Sequence, residues 1–108
     1  MTTPLFGMTE LSEASPLAHI IANTNWRILE ANNLRKLASI TLTAPPGSPA
    51  EGSVYWVNGT GTGAWAGHDN QIGIYIAGAW YWRAPVTGER WYNATGAVWV
   101  QWNGSAWV

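Results

Sequence analysis

Apolar and small residues recur at Leu17, Ile20, Ile21, Thr24, Ile28, Ala31, Leu34 and Ala38, the three-and-four spacing that lines one face of a helix. Ser15 followed by Pro16 marks the start, because a serine hydroxyl caps an open turn and proline lacks only a donor that is unsatisfied there anyway. With Leu37 and Ile40 extending the stripe, the pattern predicts a helix from Pro16 to about Ser39. Asn23, Asn25, Asn32 and Asn33 make its other face polar but uncharged. Such a helix is expected to lie against its own chain's sheet or a neighbouring subunit; a membrane-surface helix would carry Lys and Arg on that polar face. Residues 1–14 show no period and read as an arm ordered by a partner. The stretch 43–52, with Pro45, Pro46 and Pro49, reads as a stiff, extended spacer.

Beyond Gly52 the pattern changes to short β-branched and aromatic runs separated by Gly, Asn and Thr, which predicts strands near 54–57, 72–76, 80–83, 90–93, 98–102 and 106–108. Ile72, Ile74 and Ile76 share a face by the two-residue period. A turn at Ala77-Gly78-Ala79 is expected to carry Trp80 and Trp82 onto that same face, which becomes the core. A second, degenerate copy follows, in which Val98, Val100 and Trp102 lead through Asn103-Gly104-Ser105 to Trp107. The expected fold class is α+β: an N-terminal arm and helix (1–40), a Pro-rich linker (41–52) and a small antiparallel β module of two aromatic hairpin units (53–108).

Composition sharpens this picture. At 108 residues and 11.8 kDa there is room for one ordinary domain, which excludes a multi-domain enzyme. Charged residues make up only 10%, against about 25% in a typical soluble domain. The net charge of −1 gives no footprint for a phosphate backbone, so nucleic acid is not an expected partner. No stretch has the about 18 apolar residues of a membrane span, so no membrane insertion is expected. Of the fourteen aromatics only Phe6 and Trp26 precede Gly52. The other twelve, at about 200 Å² each, bring more ring surface than a core this small is expected to hide.

Some rings should therefore face a partner. If Trp80, Trp82, Val98 and Val100 point inward, then Tyr75, Tyr81, Arg83, Trp99 and Gln101 point outward, mixing rings with hydrogen-bonding groups. Trp65 is expected at the tip of a flexible glycine-rich loop, followed by His68 and Asp69. This set (Trp65, His68, Asp69, Tyr75, Tyr81, Arg83, Trp99 and Gln101) is the candidate carbohydrate-binding surface, since sugar C–H faces stack on indole and phenol rings. The same surface also suits copies of the chain, and a final strand ending at Trp107-Val108 without a polar tail invites edge pairing, so a homo-oligomer is expected.

Catalytic chemistry finds little support. The run Gly59-Thr60-Gly61-Thr62-Gly63 lacks the Lys-Ser/Thr pair of a phosphate cradle. His68 and Asp69 are too few ligands for a metal, and Asp69 and Glu89 are glycosidase carboxylates only by default. The sequons at Asn58, Asn93 and Asn103 read as turn chemistry. No catalytic residue, metal or cofactor is expected.

The segments Ala44-Pro45-Pro46 to Pro49-Ala50-Glu51-Gly52, Val54-Tyr55-Trp56-Val57, Gly63-Ala64-Trp65-Ala66-Gly67-His68-Asp69, Gln71-Ile72 and Gly78-Ala79-Trp80 carry a resemblance. Over residues 20 to 92 the chain resembles a Trp-rich domain-of-unknown-function family found in fibre and spike proteins of tailed phages, prophages and gene transfer agents. The family's helix is usually rich in Gln, Lys and His, whereas this one reads Thr24-Asn25-Trp26-Arg27-Ile28-Leu29-Glu30. The resemblance implies a virion surface component, a head or tail spike, fibre or its base, trimeric, bound to other virion structural proteins and presented towards host-surface polysaccharide. A stand-alone lectin-like module and a capsid-decorating or cement protein are the alternatives.

Overall fold

The computed structural model describes residues 16–108, with side chains from residue 23 onward. The arm at 1–14, the Ser15 cap and the side chains of Leu17, Ile20 and Ile21 lie outside the described residues. The first element, α1, spans Pro16–Leu34. Pro16 is the first described residue, and the helix stops short of Ser39. Arg35 adopts a left-handed conformation (φ 59°) and its N–H reaches back to the Ala31 carbonyl at 3.4 Å, which closes the last turn. The chain then leaves as an extended strand, β1 (Lys36–Leu37). Ala38 is therefore not a helical residue, and Leu37 enters the core, fully buried, from a strand. Within α1, Ala31 is buried and Ile28 packs against the core, as the stripe requires.

Five strands follow: β2 (Val54–Trp56), β3 (Ile72–Ile76), β4 (Ala79–Arg83), β5 (Arg90–Asn93) and β6 (Val98–Gln101). They form two three-stranded sheets, ordered β1-β5-β6 and β2-β3-β4. Every pairing is antiparallel except β1 with β5, which is parallel. The residues at 106–108 form a single bridge, Trp102 to Trp107, in place of a strand, with Gln101 and Val108 exchanging backbone bonds of 2.8 and 2.9 Å.

The segment after Arg35 joins the sheets. Tyr92 and Ala94 donate to the carbonyls of Arg35 and Leu37, at 2.7 and 2.9 Å, on the β5 side. Ala38 donates to Val54 at 2.7 Å, and Ser39 accepts from Trp56 at 3.2 Å, on the β2 side. A two-residue strand has too little length to hold itself, so these bonds to both neighbours are what keep it extended. Leu37, Val54, Trp56, Ile72, Ile74, Ile76, Trp91, Val100 and Trp102 then close one shared core with Ala31.

The face assignment of β4 is the reverse of the expectation. The β3–β4 turn has two residues, Ala77 (φ 52°) and Gly78 (φ 80°), so Ala79 lies directly opposite Ile76. Shortening the turn by one residue exchanges the faces of the whole strand. Tyr81 and Arg83 consequently stand opposite Ile74 and Ile72, while Trp80 and Trp82 stand opposite Tyr75 and Gly73 on the other side.

That other side is covered by the loop at 58–71. Trp65, expected at an exposed tip, is fully buried and lies against Tyr55, Trp80 and Trp82 with ring centroids 5.7, 5.4 and 6.3 Å away. Two buried faces on one sheet change the aromatic balance. Trp56, Trp65, Trp91 and Trp102 are buried, and Trp26, Trp80, Trp82 and Trp107 are half-buried. Trp99, 56% exposed, is the one indole left outside, so the large surplus of ring surface expected from composition is mostly absorbed within the fold.

Gly73 is where Trp82 lies flat on the sheet, and a Cβ there would come within 2.5 Å of the indole. Gly73→Ala is therefore expected to displace Trp82 and destabilise the protein by about 1–3 kcal/mol, measured by urea unfolding followed through tryptophan fluorescence. An unchanged midpoint would mean that the Trp82 ring has room to move.

Candidate functional site

Seven of the eight candidate residues fall into three separate environments, and Tyr81 stands apart from all three. Trp65, His68, Asp69 and Tyr75 belong to the ring layer over the β2-β3-β4 sheet. The His68 imidazole stacks on Trp82 (4.1 Å between centroids, 8° between planes) while its Nδ1 meets Gln71 Oε1 at 2.9 Å. Asp69 Oδ1 accepts the Gly61 N–H at 2.9 Å, and Asn70 Oδ1 accepts that of Gly59 at 3.2 Å. Tyr75 packs on Trp80 at 5.0 Å. The polar groups of this loop are thus spent within the loop, on its own backbone and on one another, and its rings pack together. Its job is to roof the sheet.

Arg83 sits in a second environment, an ion-pair node that ties α1 to both sheets. Its Nη1 donates to Glu89 Oε1 at 2.9 Å and its Nη2 to Oε2 at 2.5 Å. Nε and Nη2 also donate to Asn32 Oδ1 on α1, at 3.1 and 2.7 Å. The Glu89 carboxylate, its side chain only 6% exposed, further accepts the Val86 N–H at 3.0 Å and the Trp91 indole N–H. Arg35 adds a looser pair at 3.7 Å, and its guanidinium stands 5.5 Å from the Trp91 ring centroid. Burial alone pushes the Glu89 carboxyl up. The hydrogen bonds from Arg83, Val86 and Trp91, with the Arg83 charge, outweigh that and hold it at about 2, down from 4.5. Arg83 is accordingly a positioning group with most of its donors committed.

Trp99 and Gln101 occupy the third environment, the solvent face of the β1-β5-β6 sheet. Register places Trp99 opposite Tyr92 and Gln101 opposite Arg90, and β1 sets Lys36 beside Tyr92. Trp91 and Val100, the alternate positions, are buried. The Tyr92 ring meets Trp99 edge-on at 5.5 Å. Tyr81, 37% exposed, lies on the other sheet, and the structure does not bring it to this face. Arg90 and Tyr92, outside the candidate set, join this face, and their two-residue period is the signal that marks them. Lys36 had no such signal, since its segment reads as helix.

Among the described residues no group of three or more His, Cys, Asp or Glu is placed to hold a metal, and no helix is long and apolar enough to cross a membrane. The fold and its surfaces define a small α+β module in which a roofed sheet carries the packing and an open sheet carries rings and hydrogen-bonding groups. The chain belongs to a family described as a protein of unknown function (DUF2793), whose model matches residues 22–108, so the match takes in the second hairpin unit as well as the first. No curated protein matches it.

The node gives a pH prediction. The folded-state value of Glu89 is depressed, so its stabilisation is complete above about 4.5 and is lost as pH falls towards about 2. Acid titration of stability is expected to show a decline across that window, flattened in Glu89→Gln. At neutral pH this variant should be destabilised on the order of 3 kcal/mol, because Arg83 loses its partner. Wild type and variant with parallel acid profiles would show that the decline comes from other carboxyls.

Proposed function

We propose that this chain is a non-catalytic structural component on the surface of a phage-type particle, a head or tail spike, fibre or its base. In this reading α1 and the arm attach it, as a trimer, to other virion structural proteins. The β body is presented outward, where it meets host-surface polysaccharide. The observation that carries the reading is the exposed pair Trp99 and Gln101: in a fold that hides or half-hides its other indoles, one ring is left in solvent beside an amide. Ring and amide together are what a sugar needs, a flat apolar plate for its C–H face and a donor-acceptor pair for its hydroxyls.

Attachment through α1 has its own support. Ile28 and Ala31 are used internally, yet Leu29 and Leu34 are 59% and 38% exposed on the same helix. Apolar side chains turned away from the core suit a subunit contact. The Pro-rich segment beside the Gly63-Ala64-Trp65-Ala66-Gly67 run supports the virion assignment through the resemblance it carries.

Sedimentation equilibrium of the purified chain is expected to give a trimer, and particles from the producing cell are expected to carry it. A stable monomer absent from particles would overturn the structural role. Glycan-array binding that disappears in Trp99→Ala is the expected signature of adhesion. Silence on the array together with particle association would leave a cement or base protein.

A further inference from the structure

We infer that the solvent face of the β1-β5-β6 sheet is a binding site for an acidic polysaccharide, a chain of pyranose rings bearing carboxylates. This rests on the glycan reading above and adds a charge requirement to it. Lys36, Arg90, Tyr92, Trp99 and Gln101 share this face by register, two cations, two rings and an amide with no acid among them. In a chain of net charge −1 that is a local excess of positive charge.

Both cations are available. Lys36 and Arg90 are exposed, and neither side chain has an ion-pair partner among the described residues. Beside them Arg90 and Trp99 line an open groove of about 670 Å³ that is also lined by Arg35, its side chain 45% exposed. Glu89 also lines this groove, but its carboxylate, on a side chain only 6% exposed, is saturated by Arg83, Val86 and Trp91. It therefore does not compete with an incoming anion for Arg90 or Lys36.

The geometry divides the work. Tyr92 braces one edge of the Trp99 indole, so the ring is oriented before a ligand arrives and a sugar stacks at little ordering cost. Arg90 is the diagonal neighbour of Trp99 across the strand pair, within reach for a long side chain, and its planar fork pairs with a carboxylate through two parallel bonds. Gln101, directly opposite Arg90, serves hydroxyls on the same ring. A polyphosphate backbone is the poorer fit. It would gain from many cations along a track, and this face offers two beside two rings.

The test is titration of the full chain with an oligogalacturonate, with a neutral galactan oligomer of equal length and with a single-stranded oligonucleotide, read by tryptophan fluorescence. The expected result is saturable binding of the oligogalacturonate, weakened by salt, with no comparable binding of the galactan. Arg90→Gln and Trp99→Ala should each weaken it by about tenfold or more, the loss of one charge-assisted contact or one stacked ring, with the circular dichroism spectrum unchanged. Equal binding of acidic and neutral oligomers, unaffected by Arg90→Gln, would overturn the charge assignment and leave the glycan reading intact. Silence towards every sugar, on the array as well as here, would overturn both. Tighter binding of the oligonucleotide that falls in the same two variants would make this a nucleic-acid face and overturn the proposal.

Discussion

The fold turns on one short stretch of backbone, the residues after Arg35 that are hydrogen-bonded on both edges. Neither hairpin unit is self-sufficient. β5 and β6 make a two-stranded ribbon that is marginal on its own in water. Inserting β1 beside β5 and bridging Ser39 to Tyr55 gives that ribbon a third strand and joins it to β2. Leu37 goes into the shared core from this stretch, fully buried. Because the stretch begins at the last turn of α1, helix, seam and both sheets are positioned by the same few bonds. The Arg83 to Glu89 node reinforces that geometry from the other side, since Arg83 lies on β4, Asn32 on α1, and Glu89 immediately precedes β5.

A chain with nine tryptophans and few charges would be expected to show its rings, and the architecture explains why this one mostly does not. A sheet has two faces, and here the second face of β2-β3-β4 is roofed by a loop that contributes its own indole. The loop holds its shape through close backbone approach: a Cβ at Gly61 would lie 2.1 Å from the Trp65 carbonyl oxygen. Ring packing also outweighs polar satisfaction, for the indole nitrogens of Trp56, Trp65 and Trp107 are buried without a hydrogen-bond partner among the described residues. Each such donor costs about 1–3 kcal/mol, so the burial of the rings themselves must supply more than that.

What the sequence reveals follows from what period and composition encode. The Ile28 and Ala31 face of α1 and the positions of the five longer strands are legible because each pattern repeats over several residues. β1 is not, because two residues have no period and Leu37 fits the helical stripe as well as it fits a strand. The faces of β4 depended on counting turn residues. Ala77 in a left-handed conformation carries no sequence mark, so a two-residue turn looks the same as a three-residue one. For the same reason the pattern alone puts Trp80 and Trp82 in the wrong layer, while Trp99 and Gln101, outward by alternation with Val100, need no turn and are exposed. Trp65 misled differently: glycine-rich runs usually loop into solvent, and only its tertiary contacts reveal that this one closes over a sheet.

The two sheets have divided roles, and the division has an electrostatic side. The roofed sheet spends His68, Asp69 and Asn70 on its loop, and the node spends Glu89 on two arginines, so these polar groups are internal equipment. Lys36 and Arg90 remain on the open sheet with no ion-pair partner among the described residues. Burying the Glu89 carboxylate against Arg83 and Arg35 has a second effect besides tying α1 to the sheets. It ties up the carboxylate that lines the groove beside Arg90 and Trp99, and so the interaction that stabilises the body also bears on the sign of its surface.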